Sequence, residues 1–358
     1  MTAAPVSVDV RKPKGKIRRW LRNILLSFVG FLLTLWSAAA LVFDFPSEKL
    51  RIPLAIFFLI VLLVFVWRAK GTWRRFGVVV LGFVIVLLWW RTLKASNDRN
   101  WQPDVAQTPW SEMHENTVTI HNIRDCDYRA EFDYTCQWKT RTIDLNRIQG
   151  MDFFITYWGS PFIAHPIISF DIAGQDPLPM SIETRKEVGE VYSAIRGFFR
   201  YYELIYIVSD ERDVIRLRTN YRTGEEVYLF HTKASPELAR AVFLLYLQRA
   251  NTLREKPEWY NALTDNCTSN VAVHVKEAKR DILPAWDWRL LLNGKSDELL
   301  YDDGYLAGNL PYKQLKEQAH INPAARAAND DPNFWIRIRQ GRAGFENMDL
   351  SVPAQSRP

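Results

Sequence analysis

One cysteine of this 358-residue chain, Cys267, follows residues that commonly begin a helix. Thr264, Asp265 and Asn266 precede it, and residues of these types accept the unpaired backbone N–H bonds of a helix N-terminus. We therefore predict that Cys267 lies on the first turn of a helix, where the dipole and the N–H groups favour a thiolate and can hold an oxyanion. The pattern indicates nucleophilic thiol chemistry, and a buried structural cysteine is the alternative.

A thiol nucleophile needs a nearby base, and the chain offers six histidines. His274 lies two helical turns after Cys267, roughly 10 Å along the axis, which is too far for a hydrogen bond. His165 instead lies in a predicted strand, and the next predicted strand carries Glu183. We therefore predict that His165 is the base and that Glu183 orients it. The alternative is a histidine that only packs in the core.

The two strands around His165 span residues 162–171 and 180–185, with a turn rich in Gly and Pro between them. This arrangement predicts an antiparallel pair. Pro166 has no N–H group to donate, so we expect the first strand to be an edge strand or to carry a bulge. Ser181 and Asp171 are alternative residues for orienting the imidazole. Alternation with period two groups the polar residues of each strand on one face: His165, Ser169, Asp171, Ser181 and Glu183.

The other two cysteines, Cys126 and Cys136, lie ten residues apart in a stretch rich in Asp and Tyr. A hairpin or long turn there would bring them together, and a disulfide is stable outside the cytoplasm. Such a pair leaves Cys267 as the odd thiol of the chain, which is the position expected of a reactive cysteine.

Three uncharged apolar segments occupy residues 24–43, 53–67 and 76–90. The first is long enough to cross a bilayer, and the two shorter segments end in Trp and Arg residues that suit the membrane interface. We predict three membrane spans, with a helical hairpin in a soluble domain as the alternative.

Basic residues predict the orientation of these spans. The N-terminal tail carries seven Lys and Arg residues, the first loop two and the second loop four. Short cytoplasmic loops are usually rich in Lys and Arg, so the N-terminal tail and the second loop are expected in the cytoplasm. The residues after Arg91 are then expected on the outer side of the membrane. The basic start followed by Ser37-Ala-Ala-Ala40 also resembles a cleavable signal peptide, whose removal would leave two spans and the same final topology.

The chain thus divides into a basic cytoplasmic tail (1–23), a membrane region (24–91), a polar linker (92–116) in which Trp101 and Trp110 are expected to dock, a folded domain (117–342) and a disordered tail (343–358). Apart from the cluster near the N-terminus, the basic residues are spread along the chain, so the net charge of +6 does not indicate a nucleic-acid partner. The residue patterns predict strands at 117–123, 151–158, 214–217 and 226–230, and helices at 236–253 and 311–319. We therefore expect an α+β domain in which an antiparallel sheet packs against helices.

Five stretches of the folded domain carry recognisable motifs: Ile123-Arg-Asp with Tyr128, Ile163-Ala-His-Pro-Ile-Ile-Ser-Phe170, Ser181-Ile-Glu-Thr-Arg-Lys-Glu187, Asp213-Val-Ile-Arg-Leu-Arg-Thr-Asn-Tyr-Arg222 and Tyr260-Asn-Ala-Leu-Thr-Asp-Asn-Cys-Thr268. Between about residues 117 and 340 the sequence resembles the family of the Lnb N-terminal periplasmic domain, whose namesake is a bacterial lipoprotein N-acyltransferase. The resemblance implies a permuted papain-like thiol-enzyme domain with Cys267 as nucleophile and His165 as base.

The resemblance also implies an activity and a place. We expect a multi-pass protein of the bacterial inner membrane that moves an acyl chain from a phospholipid, through a Cys267 thioester, to an amine such as a lipoprotein N-terminus. Asn266 would help to stabilise the oxyanion. Arg216, Arg218 and Arg222 are candidate contacts to lipid phosphates, and solvated charges on a strand are the favoured alternative. No cofactor or metal is expected, because the Cys and His residues lack metal-ligand spacing. A thiol hydrolase of the cell envelope (peptidase or amidase) and a non-enzymatic scaffold are the alternatives. Further candidate substrate contacts are Ser169, Ser181 and Tyr260.

Overall fold

The computed structural model describes residues 14–262, 267–278, 287, 289, 293–346 and 348. The chain divides into two compact units. The first contains the residues up to Lys94 together with Phe199–Tyr201, and the second contains the rest. The tail that the sequence predicts to be disordered, and the aromatic-rich stretch before residue 293, lie mostly outside the described residues.

The first unit contains three helices, α1 (Lys14–Asp44), α2 (Glu48–Arg68) and α3 (Thr72–Thr92). All three are long and apolar enough to cross a membrane. The two segments that are short in the sequence are the apolar centres of longer helices: each helix has 21 residues, about 31 Å at 1.5 Å per residue. That length matches the hydrocarbon core of a bilayer, and the prediction of three apolar N-terminal helices is confirmed.

The second unit is built on two antiparallel sheets. The smaller sheet has the strand order β1 (Trp110–His114), β2 (Thr117–Ala130), β3 (Asp133–Asp144). The larger sheet has the order β7 (Glu203–Val208), β6 (Leu178–Arg185), β5 (Ala164–Ile172), β4 (Ile148–Trp158), β8 (Glu225–His231).

Helices cover both faces of the larger sheet: α4 (Glu211–Arg216), α5 (Pro236–Glu255), α6 (Cys267–Ala278), α7 (Ser296–Asp302), α8 (Tyr312–Ala319), α9 (Asn322–Ala327) and α10 (Phe334–Arg337). On one face, Ile167 of β5 packs in a buried cluster with Val214 of α4 and Phe334 of α10. On the other face, the Phe170 ring of β5 meets the Phe243 ring of α5 at 5.0 Å, edge to face. The predicted α+β class, with antiparallel sheets packed against helices, is confirmed.

The stretch 92–116 is not a free linker. It contains a short 3-10 helix, Pro103–Val105, and strand β1, and Trp101 is buried with Val105 against Ile205 and Ile207 of β7. The second unit accordingly begins at Ala95 rather than at residue 117. Buried aromatic and aliphatic side chains tie this polar segment to the sheet.

Pro166 lies in an interior strand, so the expectation of an edge strand is wrong. Strand β5 pairs with β4 on one side, where Pro166 is opposite Ile155, and with β6 on the other. The β5–β6 ladder starts only at Ile167, so the missing N–H group falls just before the paired region. The predicted antiparallel pairing of β5 with β6 is present, with Ile167 opposite Ser181.

Residues 214–217 form a helix and not the expected strand. Asp210 caps α4 by accepting a hydrogen bond from the N–H group of Asp213, and a five-residue π-helical segment, Leu217–Tyr221, follows. Val214 and Ile215 are buried in the core, so the short apolar run matched the pattern of a buried strand equally well.

Strands β2 and β3 form a long hairpin in which Cys126 is directly opposite Cys136. The two residues form a disulfide. The hairpin is also fixed to α4, because Asp213 accepts hydrogen bonds from the Cys126 N–H group at 2.8 Å and from the Arg124 guanidinium at 2.9 Å.

Candidate active site

His165 is the second residue of β5 and its side chain is buried. Its Nε2 lies 2.7 Å from the Ser181 hydroxyl, and that hydroxyl donates to Glu183 Oε1 at 2.7 Å. Nε2 is also 3.4 Å from Glu183 Oε1. Ser181 and Glu183 share one face of β6, and the β5–β6 ladder begins with Ile167 opposite Ser181, two residues after His165. The structure therefore places the predicted base beside the predicted orienting carboxylate, with a serine between them.

The hydrogen bonds around Ser181 decide the tautomer of His165. A hydroxyl has one proton, and that of Ser181 is donated to Glu183. Ser181 must then accept from the imidazole, so Nε2 carries the proton of neutral His165. The ring nitrogen with the basic lone pair is Nδ1, which is the atom able to take a proton from a thiol.

Glu183 is held in its charged form by its neighbours. Burial disfavours a carboxylate, but the Arg218 guanidinium and His165 outweigh it and hold the pKa of Glu183 well below its usual range. Arg218 donates to Glu183 at 2.8 Å and to Glu225 at 3.2 Å. The negative charge of Glu183 is therefore permanent at neutral pH, and it can stabilise an imidazolium on His165.

Arg218 is buried and turned inward, with 4% of its side chain exposed. The sequence leads us to expect a solvated charge on a strand or a contact to a lipid phosphate, whereas the structure pairs Arg218 with two carboxylates. The sequence did contain a signal for this role. Arg218 follows a run of apolar residues that become core, and a buried guanidinium requires carboxylate partners.

The described part of helix α6 runs from Cys267 to Ala278, so the structure places Cys267 in a helix as predicted. The side chain of Cys267 and residues 263–266, including Asn266, lie outside the described residues. The chain that leads to them is fixed at one end of the larger sheet, where the Tyr260 N–H group donates to the Tyr202 carbonyl and the Ala262 N–H group donates to the Gly197 carbonyl. Trp259 forms a bridge with Glu203, the first residue of β7.

His165 lies at this same end of the sheet. Glu203 is opposite Arg185, the last residue of β6, and β5 starts alongside at Ala164. The segment that leads towards α6 and the imidazole of His165 therefore lie at the same end of the strands of the larger sheet. Tyr260, a predicted substrate contact, is largely buried in this segment.

The body of α6 packs on the sheet face opposite to the His165 side chain. His274 Nε2 lies 2.8 Å from the Tyr206 hydroxyl, and Tyr206 is on the face of β7 that carries the α5 contacts. Burial lowers the pKa of His274 to about 4, so this residue is neutral and part of the packing.

A cavity of about 340 Å³ lies between this sheet face and helices α5, α6 and α7. Its wall is mainly apolar, and it includes Pro166 and Ile168 of β5 and Val271 and Val275 of α6. Its volume falls within the roughly 300–1,000 Å³ that small-molecule sites occupy. The cavity thus runs along the helix that starts at Cys267.

Two predicted site residues belong to a different buried cluster. Ser169 donates to Glu211 at 2.7 Å, and Glu211 also pairs with the fully buried Arg339. Asp171 lies six residues beyond His165 on the same strand, about 20 Å away at 3.4 Å per residue. Burial, reinforced by the nearby Asp152, raises the pKa of Asp171 to about 6. Neither residue reaches the imidazole, which leaves Ser181 and Glu183 as its partners.

Within the part of the chain that the structure describes, no three His, Cys, Asp or Glu side chains group as ligands for a metal ion. The family model described as the Lnb N-terminal periplasmic domain matches residues 134–294, a segment that contains His165, Ser181, Glu183 and Cys267. The family indicated by the sequence motifs is confirmed for that segment, which is shorter than the stretch from 117 to 340 over which the motifs extend. No curated protein and no solved structure matches the chain.

Proposed function

We propose that this membrane-anchored protein with a periplasmic domain is a thiol acyltransferase of the bacterial inner membrane, with Cys267 as nucleophile and His165 as base. The observation that carries the proposal is the buried chain of contacts from His165 through Ser181 and Glu183 to Arg218. Such a chain fixes the ring orientation and the tautomer that a cysteine nucleophile needs. It lies at the sheet end to which the segment preceding α6 is anchored.

The reaction begins with transfer of the Cys267 thiol proton to Nδ1 of His165. The thiolate attacks an ester carbonyl of a phospholipid, and the oxyanion is stabilised by N–H groups at the start of α6 and by Asn266. The ester C–O bond then breaks, the imidazolium returns its proton to the leaving alkoxide, and a lysophospholipid departs. Cys267 now carries the acyl group as a thioester.

The second half returns the enzyme to its starting state. An amine, such as a lipoprotein N-terminus, attacks the thioester carbonyl, and an amide bond forms as the C–S bond breaks. The amine proton passes through His165 to the departing thiolate, so protons and electron pairs balance over the cycle. Neither a cofactor nor a metal is part of this scheme.

The cavity beside α6 favours an acyl chain over a peptide as the group transferred. Val271 and Val275 of α6 face it, together with mainly apolar residues of the sheet and of α5 and α7. A peptide backbone buried there would leave polar groups without partners, which costs free energy, whereas an acyl chain has none to satisfy. Three membrane spans on the same chain keep the site at the source of such lipids.

The test is intact-protein mass spectrometry after incubation of the full chain, reconstituted in lipid, with phospholipid that carries an isotopically labelled acyl chain. We expect an acyl adduct on Cys267 that hydroxylamine removes, and no adduct on the Cys267→Ala or His165→Ala variants. An unlabelled Cys267 in a protein that cleaves a peptide or muropeptide would identify a thiol hydrolase. Full complementation of a deletion by Cys267→Ala would identify a scaffold.

A further inference from the structure

The loop between β6 and β7 exposes an unusual number of large apolar side chains. Five of the eleven residues from 188 to 198, here called the apolar loop, are exposed by 41% or more of their surface: Val188, Val191, Tyr192, Ile195 and Phe198. Apolar residues scattered singly over a surface need no explanation, but a concentration of this kind marks a site of interaction with a protein or a membrane.

The backbone of the apolar loop is held in place, so its side chains are displayed by a built structure. The Ser193 N–H group donates to the Tyr202 hydroxyl at 2.9 Å, and that hydroxyl donates to the Val191 carbonyl at 2.8 Å. Gln102 donates to the Glu190 carbonyl at 2.7 Å. These contacts satisfy the backbone from the protein side and leave the apolar side chains facing outward.

The residues that directly follow the apolar loop belong to the unit of the membrane helices. The Phe199 ring lies 5.1 Å from that of Phe43, near the end of α1. Arg200 donates to the carbonyls of Trp90 and Leu93, at the end of α3, at 2.8 and 2.7 Å. Residues 199–201 therefore mark the level where the spans end, which is the membrane–water interface.

Chain continuity keeps the C-terminal end of the apolar loop close to that interface. Phe198 is bonded to Phe199, and Ile195 is four residues away, so at most about 14 Å of extended chain separates Ile195 from Phe199. Val, Ile, Phe and an interfacial Tyr are residues that monotopic proteins insert into the boundary between headgroups and acyl chains.

We propose that the apolar loop is a membrane-inserting element that contacts the lipid of the outer face of the bilayer, in addition to the three spans. The proposal goes beyond the proposed function, because it rests on the spans and on the loop and not on any reaction of Cys267. The loop also lies against the segment that leads to α6: a Cβ on Gly197 would meet the Tyr260 ring at 3.4 Å. Lipid at the loop is therefore next to the approach to Cys267.

The experiment uses the full chain in lipid nanodiscs, in a Cys267→Ala background, so that an introduced cysteine is the reactive thiol. Val191→Cys and Ile195→Cys are labelled with an environment-sensitive fluorophore. Phe132→Cys serves as the matched control, because Phe132 is also an apolar residue, 83% exposed, in the turn between β2 and β3. Each label is quenched once by nitroxide-bearing phospholipid and once by aqueous iodide.

We expect blue-shifted emission at Val191 and Ile195, and lipid-borne quenching there about twofold or more above that at Phe132, as for side chains at the headgroup boundary. Iodide should quench the Phe132 label more strongly. Loop labels that respond to iodide as the Phe132 label does would overturn the proposal. Shielding from both quenchers would also overturn it, because the loop would then be covered by protein, such as a second copy of this chain.

Discussion

At the scale of single residues, the permanent charge of Glu183 organises the candidate site. Arg218 and His165 hold the pKa of Glu183 low against the effect of burial, and the ionised carboxylate accepts the hydrogen bond of the Ser181 hydroxyl. Each residue in this series fixes the hydrogen-bonding state of the next, so the lone pair of the imidazole is placed on Nδ1. The arrangement makes Ser181 a positioning residue whose effect is felt through His165.

Removal of the Ser181 hydroxyl is expected to slow thioester formation. In Ser181→Ala the imidazole loses the acceptor that fixes its tautomer, and we expect the acylation rate of Cys267 to fall on the order of 100-fold, with Ser181→Thr restoring much of it. The rate is measured by time-resolved mass spectrometry of the acyl adduct. Ser209→Ala, which also removes a buried hydroxyl from the second unit, is the matched control and should keep the wild-type rate.

Acid is expected to destabilise the protein through His274. Its pKa is about 4 in the folded protein against about 6.5 when unfolded, so the unfolded state binds the proton first. The contribution of neutral His274 to the free energy of unfolding is fully present above pH 6.5. It is lost as the pH falls towards 4, and the total decrease is at most about 3 kcal/mol. Thermal unfolding of the full chain in detergent at pH 7 and pH 4.5 measures it.

The variant His274→Phe provides the comparison for this pH effect. Phe is expected to pack against Tyr206 and Tyr246, whose rings surround the imidazole at 5.8 and 4.6 Å, but it cannot be protonated. Its melting temperature should be lower at pH 7, because the hydrogen bond to Tyr206 is lost, and should decline less on acidification. Equal acid sensitivity of both proteins would rule out His274 as the cause.

At the scale of elements, the hairpin β2–β3 is a cross-linked platform attached to α4. The disulfide joins strands that are already in register, and Asp213 binds the hairpin through Arg124 and the Cys126 backbone. Helix α4 leads directly into the segment Leu217–Tyr221, which carries Arg218. The hairpin thus supports the element from which the buried guanidinium reaches Glu183.

Loss of the disulfide is expected to lower the free energy of unfolding by about 2–3 kcal/mol, the loop-closure entropy of a ten-residue loop. The double variant Cys126→Ala/Cys136→Ala should therefore melt at a lower temperature than the wild type. Alkylation of the denatured, unreduced wild type should modify one thiol, that of Cys267, and Cys267→Ala should take up no label. Modification of two or more thiols, or a disulfide that includes Cys267, would contradict the pairing.

At the scale of the whole molecule, three spans and a periplasmic domain require the chain to leave the membrane on the outer side after α3. The basic residues predict this orientation, and all three helices have the length to cross. With the N-terminus in the cytoplasm, an even number of spans would deliver the second unit to the cytosol, where a stable disulfide and access to outer-leaflet lipid are both lost.

Reporter fusions test this orientation. Alkaline phosphatase fused after Leu93 should be active, because the enzyme folds only outside the cytoplasm, and fusion after Ala69, in the loop between α2 and α3, should be inactive. Fluorescent-protein fusions at the same two positions should give the reverse pattern. Fluorescence after Leu93 with no phosphatase activity would show that one of the three helices does not cross.

Much of the second unit could be predicted from local patterns, and the errors have one kind of cause. The antiparallel pairing of β5 with β6 follows from alternation and a Gly- and Pro-rich turn. The interior position of β5 could not be predicted in this way, because it depends on which other strands of the chain pair beside it. Residues 214–217 were assigned to a strand because a short apolar run satisfies either buried structure. Trp101 docks as the sequence predicts, but the surface that buries it could not be predicted, because Ile205 and Ile207 lie over a hundred residues away in the chain.

The sequence by itself determined the features that depend on neighbouring residues: the three apolar helices, the helical conformation at Cys267, and the family of the segment that contains the site. Tertiary structure alone decided that Ser181 relays between His165 and Glu183, that Arg218 points inward, and that Asp171 lies in another cluster. The physical reason is that apolar length and helix capping are local properties, whereas hydrogen-bond partners and burial are set by which strands and helices meet.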